Sequence, residues 1–212
     1  IREGPATPQE RWEENSGFSP STLAVHIAAL TCAASLATER DDQATATLFQ
    51  EYADFLECHL DAWTVTSMGT LVPGIPRHFI RIAPADPADP QARVDPDGST
   101  LIVRNQGPGA PFGYPAKDIV DAGFLELVRH GIRNARDSLI QDSVQVIDAV
   151  LKVAIPFGPC WHRYNHDGYG ERESGQPFEG WGKGRAWPLL TGERGHYEVA
   201  SGRDARPFIK AM

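Results

Sequence analysis

Apolar residues recur at steps of three and four in several separate stretches of this chain, and the segments between them are long and crowded with Gly and Pro. A chain with that pattern buries helix faces rather than strand faces, so the expected fold is mainly α. Ser19 followed by Pro20 marks the start of a first helix carrying Leu23, Ile27, Leu30 and Ala34. A second is predicted from about Gln43 to Trp63, with Leu48, Tyr52, Phe55, Leu56 and Leu60 on one face. Helical spacing returns over 116–133 and 138–154, and two further helices are expected near 185–200 and 203–212. No strongly alternating strand pattern competes with these. Within the Pro-, Gly- and Asp-dense region from Met68 to Pro115, only HFIRI (78–82) and STLIVRN (99–105) read as extended, forming a small hairpin. Cys32 and Cys58 are expected to be core residues of their helices. With Cys160 they make three widely spaced cysteines that suggest neither a disulfide framework nor a zinc site.

With 212 residues, 41% of them hydrophobic, the chain can build one substantial core, and one domain is expected. Net charge is −8 and Lys and Arg are scattered, so no footprint for a polyanion exists and nucleic acid is not an expected partner. No uninterrupted apolar run approaches the roughly 20 residues that span a bilayer, and the start lacks the layout of a signal peptide, so no membrane partner is expected. The chain opens at Ile1 without a methionine, which leaves localisation open.

Two segments concentrate chemistry. QERWEENSGFSP (9–20) places Glu13 and Glu14 directly after Trp12. An adjacent indole desolvates a carboxyl group and a neighbouring carboxylate repels its charge, so both raise a pKa towards the range of a general acid. The alternative reading is a pair of solvated charges favourable to a helix N-terminus. WHRYNHDGYGE (161–171) and FEGWGKGRAW (178–187) interleave aromatic faces with Arg, Asp, Asn and His, a combination suited to sugar C–H faces and hydroxyls. The same composition also fits a Gly-rich surface loop whose aromatics plug the end of a helical domain. His162 and His166 are four apart, but their glycine-rich setting is a loop and no third ligand is evident, so neither metal nor cofactor is expected. GPGAPFG (107–113) lacks the Lys-Ser or Lys-Thr of a phosphate cradle, and no GxSxG elbow is present.

Four blocks, RWEENSGFSPSTLA, DIVDAGFLELVRHGIR, RYNHDGYG and WGKGRAWPLLTGERGHYE, together resemble glycoside hydrolase family 15, the glucoamylases, glucodextranases and related enzymes, in that family's order and closest to its bacterial branch. The resemblance implies an (α/α)6 barrel, of which the helices read here are about half. It implies that Glu13 is the general acid, that Glu14 is a neighbouring substrate-binding carboxylate and that Trp12 walls the site. Arg163 and Asp167 match the polar pair of the RY-x-x-D-x-Y block, with Arg163 binding hydroxyls of the terminal glucose. Tyr169 matches the tyrosine of that block and Trp187 the tryptophan at the head of the next helix. Trp181 and Glu193 are further substrate-binding candidates.

The implied reaction is exo-acting single displacement on an α-glucan or oligosaccharide, releasing β-glucose, with acid and base ~6.5–9.5 Å apart. The family's base lies in an LPEQ-like block that this chain does not reach, and the family's opening helices with their Arg-Asp pair are absent. Residues 1–212 therefore read as a partial catalytic domain truncated at both ends, inactive without its missing remainder. Two other readings stand beside this one. They are a trehalase-like α-glucosidase on the same barrel and a non-catalytic carbohydrate-binding helical domain, the latter disfavoured by an intact RWEE beside RYNHDGYG. The choice among α-1,4, α-1,6 and α,α-1,1 links is left open.

Overall fold

The computed structural model describes residues 5–86, 88–89 and 94–212. Among these, the α-helices are α1 (Pro20–Thr38), α2 (Gln43–Thr64), α3 (Leu125–Arg129), α4 (Ser138–Val150), α5 (Pro188–Ala200) and α6 (Arg206–Ala211). Ser19 occupies the cap position of α1, although its hydroxyl pairs with that of Ser21 rather than with a backbone N–H. Asp42 caps α2 by accepting from the N–H of Thr45, and Asp137 caps α4 by accepting from that of Leu139.

The four-residue link between α1 and α2 folds them into a hairpin, which buries Leu23, Ala24 and Ile27 against Leu56 and Leu60. The same core continues through Phe79, Phe124, Leu127, Ile140, Ile147, Trp161, Leu190 and Tyr197. Arg194, nearly buried on α5, fastens that helix to α4: its Nε and Nη2 donate to Asp148 at 3.0 and 2.7 Å, and Asp148 also accepts from Trp161 Nε1 at 3.0 Å. A bidentate pair of this kind fixes orientation as well as distance.

Short antiparallel strands tie the loops down. β1 (Gly17–Phe18) pairs with β4 (Ala83–Pro84), β2 (Val65–Thr66) with β3 (His78–Phe79), and β5 (Thr100–Leu101) with β6 (Tyr114–Pro115). β7 (Lys152–Ile155), β8 (Gly158–His162) and β9 (Ala186–Trp187) form a three-stranded sheet. A second core of Ile80, Ile82, Leu101, Val103, Ile119 and Tyr164 lies under these loops, and Trp12 packs against both cores.

At Gly17, φ is 144°, and a Cβ there would stand 2.1 Å from the Ala83 carbonyl oxygen. Gly17→Ala is therefore expected to break the β1–β4 register beneath the segment carrying Trp12 and Glu13, costing ~1–3 kcal/mol in the denaturant unfolding of the whole protein. An unchanged midpoint would show that the strand pair contributes nothing.

The structure departs from the sequence expectations in several places. HFIRI and STLIVRN do not pair with each other, because β3 meets β2 and β5 meets β6. The stretch 116–133 is not one helix. A 3-10 turn (Ala116–Asp118) leads into extended backbone that Arg81, Asn165 and Tyr164 engage, and only then does α3 begin. Helix α4 stops at Val150 and the following residues enter β7, so part of the predicted helix and of the predicted loop is a hairpin. The final helices begin later than expected, at Pro188 and Arg206. Cys32 and Cys58 are exposed rather than in the core. Cys58 sits two residues from both Leu56 and Leu60, which turns it to the opposite side of α2. Leu48, placed on the apolar face of α2, is exposed as well. By length and composition α1 is long and apolar enough to cross a membrane, which the sequence reading missed because Ser, Thr and His interrupt the run; its inner face belongs to the core.

Candidate active site

The turn from Glu10 to Asn15 carries the two adjacent carboxylates into opposite environments. The turn closes on itself, since the N–H of Glu13 donates to the carbonyl of Glu10 at 2.8 Å and the N–H of Glu10 to that of Asn15 at 3.1 Å. Glu13 then adopts a left-handed backbone with φ 58° and is exposed. That conformation costs a non-Gly residue roughly 1 kcal/mol or more, and such outliers gather at functional positions. Three of the four non-Gly residues with positive φ among the described residues, Glu13, Asn105 and His166, lie on the loops of this site.

Glu14 points inward, its side chain 9% exposed. Its Oε1 accepts from Arg163 Nη2 at 3.0 Å and from Asn105 Nδ2 at 3.2 Å, while its Oε2 accepts from Arg81 Nη2 at 3.1 Å and from the hydroxyl of Tyr164. Arg163 also holds Asp167 bidentately through Nε and Nη2, both at 2.7 Å. Burial works against the Arg163 guanidinium, but Asp167 outweighs it and raises the pKa, so the cation is permanent. Burial pushes the Tyr164 phenol up despite the Arg81 cation beneath it, and Asp167 and Glu14 push it further, so its hydroxyl stays a donor to Glu14.

Aromatic faces surround this ionic centre. The Arg163 guanidinium lies 5.4 Å from the Trp12 ring and 5.0 Å from that of Tyr169, whose N–H in turn donates to Asp167 at 2.8 Å. Tyr169 stacks towards Trp187, with ring centroids 6.2 Å apart, and Trp187 stands at the head of α5. The indole Nε1–H of Trp12 donates to the buried Asp121 at 2.9 Å, and the Arg11 guanidinium lies 4.6 Å from the Trp12 ring while pairing with Glu193 at 2.5 Å.

Of the residues singled out from sequence, Trp12, Glu14, Arg163, Asp167, Tyr169 and Trp187 thus form one connected set, with Glu13 on the adjoining turn. Glu193 reaches that set through Arg11. Trp181 lies further out, against Arg172 and Gly107. The expectation that Trp12 shields Glu13 is not met, because the indole is drawn into the junction of the two cores and Glu13 is exposed. His162 lies in β8 and bonds the Arg185 carbonyl, while His166 stacks on Tyr114. Sequence reasoning overlooked Glu10, Arg81, Asn105, Asp121 and Tyr164. An arginine inside the apolar run HFIRI was the one available signal, since an unpaired guanidinium has no place in a core.

The chain belongs to the glycosyl hydrolases: residues 1–205 match Glycosyl hydrolases family 15. It is 46% identical over its full 212 residues to the glucoamylase of Clostridium sp. (strain G0005), of whose length it spans 28%. It also superposes on the crystal structure of a bacterial glucoamylase complexed with acarbose with a TM-score of 0.86 and 46% identity, covering 99% of this chain and 29% of that one. The helices described above are accordingly part of an (α/α)6 barrel.

Proposed function

We propose that the whole protein is an inverting, exo-acting α-glucan hydrolase that releases β-glucose from non-reducing ends, of the glucoamylase or glucodextranase type, and that residues 1–212 are one part of its catalytic domain. The observation that carries this reading is the division of labour between neighbours. Glu14 is immobilised by four donors, whereas Glu13, held on a strained turn, keeps its carboxyl group free of side-chain hydrogen bonds among the described residues. A transferable proton requires the second arrangement and a substrate platform the first.

In this reading Glu13 protonates the glycosidic oxygen as the bond to the anomeric carbon breaks. The electron pair stays with the leaving sugar, and a water activated by a carboxylate from the rest of the protein attacks the opposite face. Arg163, Asp167 and Glu14 bind hydroxyls of the terminal glucose, with Trp12, Tyr169 and Trp187 against its apolar faces. Glu193 acts on Trp12 through Arg11, and Trp181 contributes at the periphery. Similarity to a glucoamylase that binds acarbose supports an oligosaccharide ligand. Proton NMR of the first product tests the stereochemistry, with β-glucose expected and initial α-glucose overturning the proposal.

Residues 1–212 expressed alone are expected to release no glucose at an enzymatic rate, because an acid without a base across the sugar leaves the attacking water unactivated. A glucose assay on that polypeptide checks this. Turnover comparable to an ordinary glycosidase would require the base to lie within these residues and would refute the assigned roles.

A further inference from the structure

Arg81 is fully buried, and its Nη2 faces three acceptors on a single turn: Glu10 Oε1 at 2.5 Å, Glu14 Oε2 at 3.1 Å and Asn15 Oδ1 at 3.1 Å. These acceptors flank Glu13 on both sides. Glu10 Oε2 accepts from the N–H of Trp12 at 2.9 Å, so the same carboxylate links the guanidinium to the backbone just before Glu13. On the other side of Arg81, its guanidinium carbon lies 3.7 Å from the centroid of the Tyr164 ring, and the Tyr164 hydroxyl holds Glu14. Its own backbone is anchored as well, the N–H donating to the Ile119 carbonyl at 2.8 Å.

We infer that Arg81 is a positioning residue that clamps the Glu10–Asn15 turn and thereby holds Glu13 in its left-handed conformation, aimed where a proton is to be delivered. The physical case is one of compensation. A left-handed glutamate relaxes to an extended or helical backbone unless its neighbours prevent it, and a single buried cation gripping residues on both sides removes that freedom. Among the described residues Glu13 has no side-chain hydrogen bond to hold it, so within them its aim is set by the turn. A residue of this kind touches neither the sugar nor the proton, and misaiming an acid by about 1 Å can cost on the order of 100-fold in rate.

The inference rests on Glu13 being the general acid, and the test separates the two claims. In the whole protein, Arg81→Lys keeps the positive charge, but the shorter side chain ends in a tetrahedral ammonium that has neither the reach of Nη2 to its three acceptors nor the planar face that lies on the Tyr164 ring. Its kcat/KM on maltose or isomaltose, whose leaving groups need protonation, is compared with that on α-glucosyl fluoride, whose leaving group needs little. Loss of terminal-glucose binding through Glu14 affects both substrates alike and cancels in the ratio. The expected result is a loss about 10-fold or more greater on the disaccharide than on the fluoride. Equal losses on the two, or no loss, would overturn the inference. Glu13→Gln measured in parallel should show the same selectivity more strongly. If Glu13→Gln is selective and Arg81→Lys is not, only the positioning role fails; if Glu13→Gln is not selective, the assignment of the acid fails and this inference falls with it. Should Arg81→Lys not fold by circular dichroism, Glu10→Gln carries the same comparison. It loosens the clamp from the other end, with a smaller selective loss expected and equal losses again counting against the role.

Discussion

Glu13→Gln in the whole protein is expected to lower turnover on maltose or isomaltose by about 100-fold or more. Glutamine keeps the size and the hydrogen-bonding reach of the side chain and removes only the proton that can be transferred. Among the described residues Glu13 is exposed and makes no side-chain hydrogen bond, so the substitution leaves none of them unsatisfied and should leave the melting temperature of the 1–212 polypeptide nearly unchanged. Loss of rate without loss of stability is the signature of a chemical role. Steady-state kinetics together with a thermal melt read both quantities, and activity within a few-fold of the parent would remove Glu13 from the mechanism.

The second large effect is expected at Arg163. Its guanidinium serves Glu14 and Asp167 at once, and its side chain is 8% exposed, so Arg163→Ala leaves the buried Asp167 without its cation and Glu14 with only that of Arg81. Breaking a buried pair on one side is far costlier than the net worth of the pair, because the remaining charge stays desolvated. In the proposed site the same change also strips hydroxyls of the terminal glucose of their donor, and kcat/KM is expected to fall by ~2–4 kcal/mol. Arg163→Lys restores the charge but not the two-pronged grip on Asp167, and recovery should be partial. Catalytic efficiency unchanged in Arg163→Ala, with only stability reduced, would make Arg163 a structural residue.

Local sequence was sufficient for α1 and α2, because a helix face is written at steps of three and four and the Ser19-Pro20 pair marks where it begins. It was also sufficient for the family and for most of the residues that converge at the site, since the blocks around Trp12, Arg163 and Trp187 each keep their order along the chain. Periodicity failed over 116–133, where an apparently helical pattern is held extended by groups from Arg81, Tyr164 and Asn165. Competition between a local helix and such distant partners leaves no mark on a short window of sequence.

Glu13 and Glu14 make the same point most sharply. As two successive carboxylates after a tryptophan they are equivalent in the sequence, apart from what a family resemblance implies. Their difference comes from residues brought in from far along the chain. Tyr164, 150 positions away, and Arg163, Arg81 and Asn105 converge on Glu14, while the turn that Arg81 closes leaves Glu13 left-handed and exposed. Which of the two carboxylates is fixed and which is free is decided by burial and by non-local hydrogen bonds, and those exist only once the tertiary fold has formed.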